Sequence, residues 1–276
     1  MKKTLFSLEV FPPKDSVAVD EIYNSLGQFA LIKPDFISVT YGAGGSSQGL
    51  TAEISSYIST RLNIPSVAHL TCVGATKDNI GNILARLKSL GVKNILALRG
   101  DLPQGESLGD FKHATDLIEF INDFGGFEVS AACYPEGHTE SPDFAFDVEV
   151  AKRKYDLGVK RFVSQLFFDN EDFYRMAEEF KKAGIDAQIS AGIMPVTNAK
   201  QIYRIVSLSG AKLPAKITKA VAKFENNPEA LYQVGINYAV DQITDLVANG
   251  VDGIHLYSMN KPKTATDIFN NIKNIL

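Results

Sequence analysis

A cluster of charged residues follows an apolar run at Leu98-Arg99-Gly100-Asp101-Leu102-Pro103. The run itself, Asn94–Ala97, is typical of a buried strand. Burying a charge is costly unless the charge is paired or used on a ligand. A cation and a carboxylate placed where a core strand ends are therefore candidates for a ligand site.

The same arrangement recurs after nearly every other apolar run. The residues that follow those runs are Glu9, Thr40-Tyr41-Gly42-Ala43, His69, Tyr134 with Glu136 and His138, Gln165, Met194-Pro195, and Tyr257 with Asn260 and Lys261. Carboxyl, imidazole, amide and phenol groups can perform acid–base chemistry and orient a polar ligand. Apolar neighbours favour the protonated form of Glu9, which suits a general acid. Structural explanations stay open: Glu9 and Asp101 as ion-paired residues, and His69 as a core histidine.

Eight short runs rich in β-branched and aromatic residues predict strands. They lie at Leu5–Val10, Asp35–Thr40, Ser66–Leu70, Asn94–Leu98, Phe127–Ala132, Arg161–Leu166, Ala187–Ala191 and Gly253–Tyr257. Helical periodicity between them, as in Asn79–Leu90, predicts amphipathic helices. Gly91, Gly158, Gly184 and Gly250 each follow a helical stretch and precede a strand, which is typical of a helix C-terminus.

Eight strands that alternate with helices favour an α/β fold of the (β/α)₈ TIM-barrel type. Extra helices, predicted at Asn198–Ser207, Pro214–Phe224 and Pro228–Asn249, precede the last strand. A doubly wound open sheet has the same alternation and stays the alternative. Because no linker or composition shift divides the chain, residues 1–276 are expected to form a single domain. In a barrel, the polar residues described above would converge at the C-terminal ends of the strands.

Composition excludes several classes of partner. The chain has 45% hydrophobic and 22% charged residues and a net charge of -4, which disfavours nucleic acid and anionic membrane surfaces. Two cysteines, Cys72 and Cys133, form neither a zinc framework nor a disulfide scaffold and predict a cytoplasmic protein. No metal site is predicted, since His69 and His138 would need further ligands. The stretch Gly42-Ala43-Gly44-Gly45 lacks the last glycine of a dinucleotide fingerprint, because Ser47 takes its place.

Nine short motifs follow one another along the chain: Glu9–Pro13, Ser38–Ala43, Ala68–Cys72, Ala97–Pro103, Ala132–His138, Lys152–Lys154, Gln165–Asp169, Gly192–Val196 and His255–Asn260. In this order they resemble the motifs of the methylenetetrahydrofolate reductase family. Each motif is modest alone, but nine in the right order over almost the whole chain are specific. The resemblance is to the bacterial-type enzymes, in which the catalytic barrel stands alone.

The resemblance implies an oxidoreductase of one-carbon metabolism and methionine biosynthesis that binds FAD non-covalently. NAD(P)H would reduce the flavin and leave, and 5,10-methylenetetrahydrofolate would then be reduced to 5-methyltetrahydrofolate, with ping-pong kinetics. A homo-oligomer is also implied, while the choice between NADH and NADPH stays open. The alternatives are another TIM-barrel enzyme, including another flavin reductase, and a folate- or flavin-binding barrel without catalysis.

The resemblance assigns the family's functional residues to matching positions of this chain. Glu9 would be the general acid that opens the five-membered ring of the folate, and Asp101 would stabilise the resulting cation and tune the flavin. The implied substrate contacts are Thr40 (near the nicotinamide), Gln165, Gln201 and Lys261. The implied FAD contacts are Tyr41, Ala43, His69, Arg99, Gly100, Asp101, Tyr134, His138, Asp147, Arg153 and Lys154, with the last two expected at the phosphates.

Three residues depart from the family pattern. Lys261 stands where arginine is usual, and an ammonium is a point charge rather than a bidentate fork. His113 stands where a tyrosine is familiar, and Ile205 replaces an aromatic residue expected to pack on bound ligands. These changes are expected to alter affinity more than chemistry.

Overall fold

The computed structural model describes residues 3–13, 19–41, 45–101 and 108–276, except for the side chains of residues 45–48. Within these ranges the chain forms eight strands and ten helices. The strands are β1 (Leu5–Val10), β2 (Phe36–Val39), β3 (Ser66–Thr71), β4 (Asn94–Leu98), β5 (Glu128–Cys133), β6 (Arg161–Ser164), β7 (Gln188–Ile193) and β8 (Gly253–Tyr257). The helices are α1 (Val19–Ala30), α2 (Gly45–Thr60), α3 (Lys77–Ser89), α4 (Ala114–Phe124), α5 (Phe144–Asp156), α6 (Asn170–Lys182), α7 (Ala199–Ser209), α8 (Ala215–Phe224), α9 (Pro228–Ala248) and α10 (Pro262–Ile272).

The strands hydrogen-bond in chain order and close into a barrel. The strand pairs β1–β2, β2–β3, β3–β4, β4–β5 and β7–β8 are parallel. The predicted (β/α)₈ TIM barrel is therefore confirmed, and the open-sheet alternative is wrong. None of the helices in the described part of the chain is long and apolar enough to cross a membrane.

The predicted strands and helices agree closely with the observed ones. The predicted strand Arg161–Leu166 ends earlier, at Ser164, because the Gln165 side chain accepts the Leu166 N–H at 2.9 Å. Three helices, α7, α8 and α9, lie between β7 and β8, as predicted. All four glycines predicted to end helices have a positive φ, between 71° and 99°.

The chain divides into two compact units, counting only the described residues. The first unit contains Ser7–Ala132 and Arg153–Phe162. Its helix α3 shows how the local structure arises: Thr76 caps the N-terminus by accepting the Asn79 N–H, and Ile80, Leu84 and Leu87 are buried along one face. Burying side chains of this size stabilises the fold by about 1.5–3 kcal/mol each.

The second unit contains Met1–Phe6, Cys133–Lys152 and Val163–Leu276. The helices that precede β8 pack on the ends of β6 and β7 through a shared apolar cluster. Its buried members are Leu166, Phe168, Met194, Val196, Ile202, Ala211, Ile217, Val221 and Leu231. In α9, Gly235 approaches the carbonyl group of Val196 so closely that an added Cβ would clash with it. The single-domain organisation stays a prediction.

Candidate active site

Glu9 and His69 face each other in the first unit. Glu9 lies near the C-terminal end of β1 with 19% of its side chain exposed, and His69 lies in β3 with 7% exposed. The Glu9 Oε2 and His69 Nε2 atoms are 3.7 Å apart, within ion-pair range but longer than a hydrogen bond. The structure thus brings together a predicted acid and a predicted cofactor contact.

Thr40 and Tyr41 follow β2. The Thr40 N–H donates to the Val10 carbonyl at 2.9 Å, and its own carbonyl accepts the Thr51 hydroxyl at 2.9 Å. The backbone after β2 is therefore fixed to the end of β1 and to α2. Burial raises the pKa of the Tyr41 phenol, which stays a hydrogen-bond donor at neutral pH. The predicted FAD contact Ala43 lies outside the described residues.

The Arg99–Asp101 segment follows β4 and is tied to the turn after β3. The Arg99 carbonyl accepts the N–H groups of Cys72, at 3.1 Å, and Val73, at 2.8 Å. The Arg99 Nε donates to the Gly100 carbonyl at 3.1 Å. Asp101 is exposed and directly precedes residues 102–107, which lie outside the described ranges. The backbone that carries the predicted catalytic aspartate is thus held from its N-terminal side.

His113, one of the three departures, lies just before α4. Its backbone N–H donates to the Asp116 carboxylate at 3.0 Å, and its carbonyl accepts the Cys72 thiol at 3.8 Å. Burial is the main cause that raises the pKa of the Cys72 thiol to about 11. The backbone of His113 thus links the start of α4 to the turn after β3.

The two basic residues predicted at the FAD phosphates have different environments on α5. Lys154 is buried, and its Nζ donates to the Ala132 carbonyl in β5 at 3.0 Å. Arg153 is exposed. Arg153 is therefore the more accessible of the two cations, while Lys154 fixes α5 to β5.

The turn after β5 in the second unit contains Tyr134 and His138. Their rings meet edge to face, with centroids 4.7 Å apart. The Asp147 carboxylate, at the start of α5, accepts the His138 N–H at 2.8 Å and the Ser141 hydroxyl at 2.6 Å. The His138 Nδ1 accepts the Glu140 N–H at 3.2 Å, which places the proton of the neutral imidazole on Nε2. Three predicted FAD contacts therefore form one rigid group.

Gln165 follows β6 and is held by neighbouring strands. Its N–H donates to the Cys133 carbonyl at 2.8 Å, and its Oε1 accepts the Leu166 N–H at 2.9 Å. Among the described residues none accepts from its Nε2, so the side chain presents an amide donor. Ser164 supports the turn, because its Oγ donates to the Gln165 carbonyl at 2.9 Å and accepts the Gly192 N–H at 2.8 Å.

The remaining predicted substrate contacts lie at helix N-termini in the second unit. Gln201 is in the first turn of α7, where its N–H donates to the capping Asn198 Oδ1 at 2.9 Å. Lys261 is exposed at the start of α10, after Met259 and Asn260, whose φ angles are 51° and 53°. Ile205, the third departure, is partly buried against the apolar cluster of the second unit.

Glu136, which follows β5, has a contact that the sequence patterns do not predict. Both carboxylate oxygens of Glu136 lie 3.1 Å from the backbone nitrogen of Lys212, between α7 and α8. No sequence signal joins two residues so far apart in the chain. Among the described residues, no group of three or more His, Cys, Asp and Glu side chains could hold a metal ion.

Comparison with known proteins identifies the family. Residues 1–273 match the family model described as "Methylenetetrahydrofolate reductase". The 5,10-methylenetetrahydrofolate reductase of Escherichia coli (strain K12) is 35% identical over 255 residues, which cover 92% of this chain and 86% of that protein. This chain belongs to the methylenetetrahydrofolate reductase family. The recognition from nine sequence motifs is therefore confirmed, and membership makes the protein an oxidoreductase of folate metabolism.

Two other similar proteins are a longer plant relative and a solved structure. "Methylenetetrahydrofolate reductase (NADH) 1" of Arabidopsis thaliana is 33% identical over 286 residues, which cover 98% of this chain and 48% of that protein. A solved structure is described as "Uncharacterized protein from Clostridium thermocellum binds two copies of 5-methyl-5,6,7,8-tetrahydrofolic acid". It has a TM-score of 0.64 and 12% identity, and covers 99% of this chain and 96% of that chain. At this identity the likeness supports the barrel fold alone.

Proposed function

We propose that this member of the methylenetetrahydrofolate reductase family reduces 5,10-methylenetetrahydrofolate to 5-methyltetrahydrofolate, with NAD(P)H as hydride donor and bound FAD as carrier. The observation that carries the proposal is the pair of Glu9 and His69, a mostly buried carboxyl group 3.7 Å from a buried imidazole. A carboxyl group in this position can deliver a proton to a substrate nitrogen bound beside it. The matching of Glu9 to the family's acid supports the same role.

The residues matched to the FAD-binding set have chemistry that fits this cofactor. Arg153 is an exposed guanidinium, which suits a pyrophosphate, and Tyr134 and His138 form a fixed aromatic group suited to a ring system. FAD, when bound, would supply a two-electron carrier that accepts hydride from the nicotinamide and donates it to the folate. Because one carrier serves both substrates in turn, the kinetics are expected to be ping-pong.

Glu9 would act as the general acid in the second half of the reaction. It would protonate a nitrogen of the five-membered ring of the folate, so that the ring opens to a cationic iminium that can accept hydride. Asp101 would stabilise this cation, because an opposite charge nearby lowers the energy of a developing charge. His69 would affect this proton transfer, because its Nε2 lies 3.7 Å from the Glu9 Oε2.

The substrate contacts would orient the nicotinamide and the folate. Gln165 would donate from Nε2 to an acceptor atom of the folate, since its Oε1 already accepts the Leu166 N–H. Gln201 would be a second folate contact, and Thr40 would lie near the nicotinamide. The ammonium of Lys261 would pair with an anionic group of a substrate, with less directional specificity than an arginine.

Further features of the protein are proposed on the same resemblance. Residues 1–276 would form one catalytic domain that functions as a homo-oligomer in the cytoplasm and contributes to methionine biosynthesis. The net charge of -4 supports the absence of nucleic-acid and membrane partners. Tyr41, His69, Arg99 and Gly100 would complete the FAD contacts together with Asp147, which fixes the turn that carries His138.

A product assay tests the proposal directly. The protein, supplemented with FAD, is incubated anaerobically with 5,10-methylenetetrahydrofolate and either NADH or NADPH, and the folates are separated by chromatography. We expect 5-methyltetrahydrofolate to accumulate in proportion to the nicotinamide oxidised, and the two initial rates give the donor preference. Oxidation of the nicotinamide with another acceptor alone would identify a different flavin reductase. Folate binding without turnover would identify a binding barrel.

A further inference from the structure

Glu136 lies in a turn that is held firmly from several sides. Residues 134–139 form this turn, called the β5 turn below. Arg175 of α6 donates to the Pro135 carbonyl at 3.1 Å, and its guanidinium also lies over the ring of Phe144, 5.3 Å from the centroid. The Asp147 carboxylate holds the other end of the turn through the His138 N–H. The β5 turn is therefore a fixed platform within the second unit.

Helix α7, in contrast, packs on the second unit along one side only. Of its eleven residues, all of them described, Ile202 alone is fully buried. Tyr203 and Leu208 are 45% and 73% exposed. Ala199, Ile205 and Val206 are partly buried against the apolar cluster of the second unit. With one fully buried residue, the helix is positioned by the contacts at its two ends as well as by this packing. The N-terminal end is capped by Asn198, one turn before Gln201.

The C-terminal end of α7 meets the β5 turn through two contacts. Gly210, directly after the helix, approaches Thr139 so closely that an added Cβ would lie 2.7 Å from its Cγ2. Two residues later, the backbone nitrogen of Lys212 lies 3.1 Å from both carboxylate oxygens of Glu136. A carboxylate that accepts a backbone N–H with both oxygens restricts the position of the chain more than a single neutral acceptor does.

We propose that Glu136 is a positioning residue that fixes the end of α7 to the β5 turn, and thereby fixes the helix that carries Gln201. The effect on substrate binding through Gln201 rests on the proposed function, whereas the effect on the position of α7 does not. Glu136 itself would contact neither substrate nor cofactor. It would join the group that contains Tyr134 and His138 to a helix that has one fully buried residue.

Burial removes water from the Glu136 carboxylate and disfavours its charged form. Burial is the largest influence on Glu136 and raises its pKa, only partly opposed by the Lys212 N–H. Replacing the charged group therefore removes an unfavourable desolvation, and variants at this position are expected to fold. This makes the proposal accessible to mutagenesis.

Hydrogen exchange of the FAD-supplemented protein provides the structural test. In Glu136→Ala, the Lys212 amide loses its acceptor, and we expect its exchange protection to fall by about 10-fold or more, equivalent to about 1.4 kcal/mol. Glu136→Gln keeps one acceptor oxygen and should lie between the alanine variant and the wild type. Glu225→Ala, an exposed glutamate in the same unit, is the matched control and should leave this protection unchanged.

Steady-state kinetics provide the functional test. We expect Glu136→Ala to raise the KM for methylenetetrahydrofolate by about 3–10-fold, with kcat within about twofold and a smaller KM change in Glu136→Gln, on the scale of one charged hydrogen bond. Unchanged protection of Lys212 in Glu136→Ala, or loss of kcat without a change in KM, would overturn the proposal. If the wild-type protein does not reduce the folate, the proposed function fails, and the exchange experiment alone decides the role of Glu136.

Discussion

Replacing Gly192 with alanine tests how the ends of β6, β7 and β8 hold Gln165 in place. An added Cβ would clash with the carbonyl oxygen of Ser164 and would lie 2.8 Å from Cε2 and 2.9 Å from the hydroxyl of Tyr257. That hydroxyl donates to the same carbonyl at 2.8 Å. The methyl group would therefore have to displace the tyrosine and break its hydrogen bond.

The magnitude follows from the two effects. Overpacking a rigid core destabilises a protein by about 1–3 kcal/mol. Leaving the Ser164 carbonyl without the tyrosine hydroxyl adds about 1–3 kcal/mol. The free energy of unfolding should thus fall by about 2–6 kcal/mol, and the melting temperature by about 10 °C for a chain of this size. Movement of Ser164 would also displace Gln165, so we expect a higher KM for the folate.

Thermal unfolding followed by circular dichroism measures this effect. Gly27→Ala in α1 is the matched control, because no atom lies within 4 Å of its added Cβ. There the change should be neutral or stabilise the protein by up to about 1 kcal/mol. If Gly192→Ala melted within about 2 °C of the wild type, the close approach of these three strands would be refuted.

Three further predictions concern the acid, the cysteines and the FAD contacts. Glu9→Gln should leave flavin reduction by the nicotinamide within about twofold and slow folate reduction by at least about 100-fold; stopped-flow absorbance measures each half-reaction, and equal loss of both would contradict the assigned role. Cys72 and Cys133 are buried, and burial raises the pKa of Cys72 to about 11, so a thiol reagent at pH 8 should modify neither in the native protein and both after denaturation. Rapid modification of the native protein would show that the two thiols are not buried. Asp147→Asn keeps one acceptor oxygen but loses the charge that holds His138 and Ser141, and should weaken FAD binding by about 10-fold in a fluorescence titration; unchanged affinity would refute a role for this group.

Most of the fold could be predicted because its signals are local. Apolar runs such as Asn94–Leu98 and Gly253–Tyr257 coincide with strands β4 and β8, and a glycine follows the helices at Gly91 and Gly184. Each signal depends on residues close together in the chain, and the repeated alternation then favours a barrel. The strand that was predicted too long, Arg161–Leu166, ends early because of a side chain that competes for a backbone N–H.

The candidate site could be predicted only in part. The positions of polar residues after the strands, and the family motifs, indicate which residues to consider, but they do not indicate which atoms pair. The contact of Glu9 with His69 and the bond from Lys154 to Ala132 depend on strand register and on helix placement. The bonds between Glu136 and Lys212 join turns 76 residues apart. Such contacts have no periodicity or spacing through which a single sequence could reveal them.

The most direct test of the proposed reaction is an anaerobic absorbance titration of the FAD-supplemented protein. NADH or NADPH is added first, and 5,10-methylenetetrahydrofolate is added after the nicotinamide has been consumed. We expect the nicotinamide to bleach the visible flavin absorbance and the folate to restore it with formation of 5-methyltetrahydrofolate. A protein that retains no flavin, or a reduced flavin whose colour the folate does not restore, would contradict the proposed reaction.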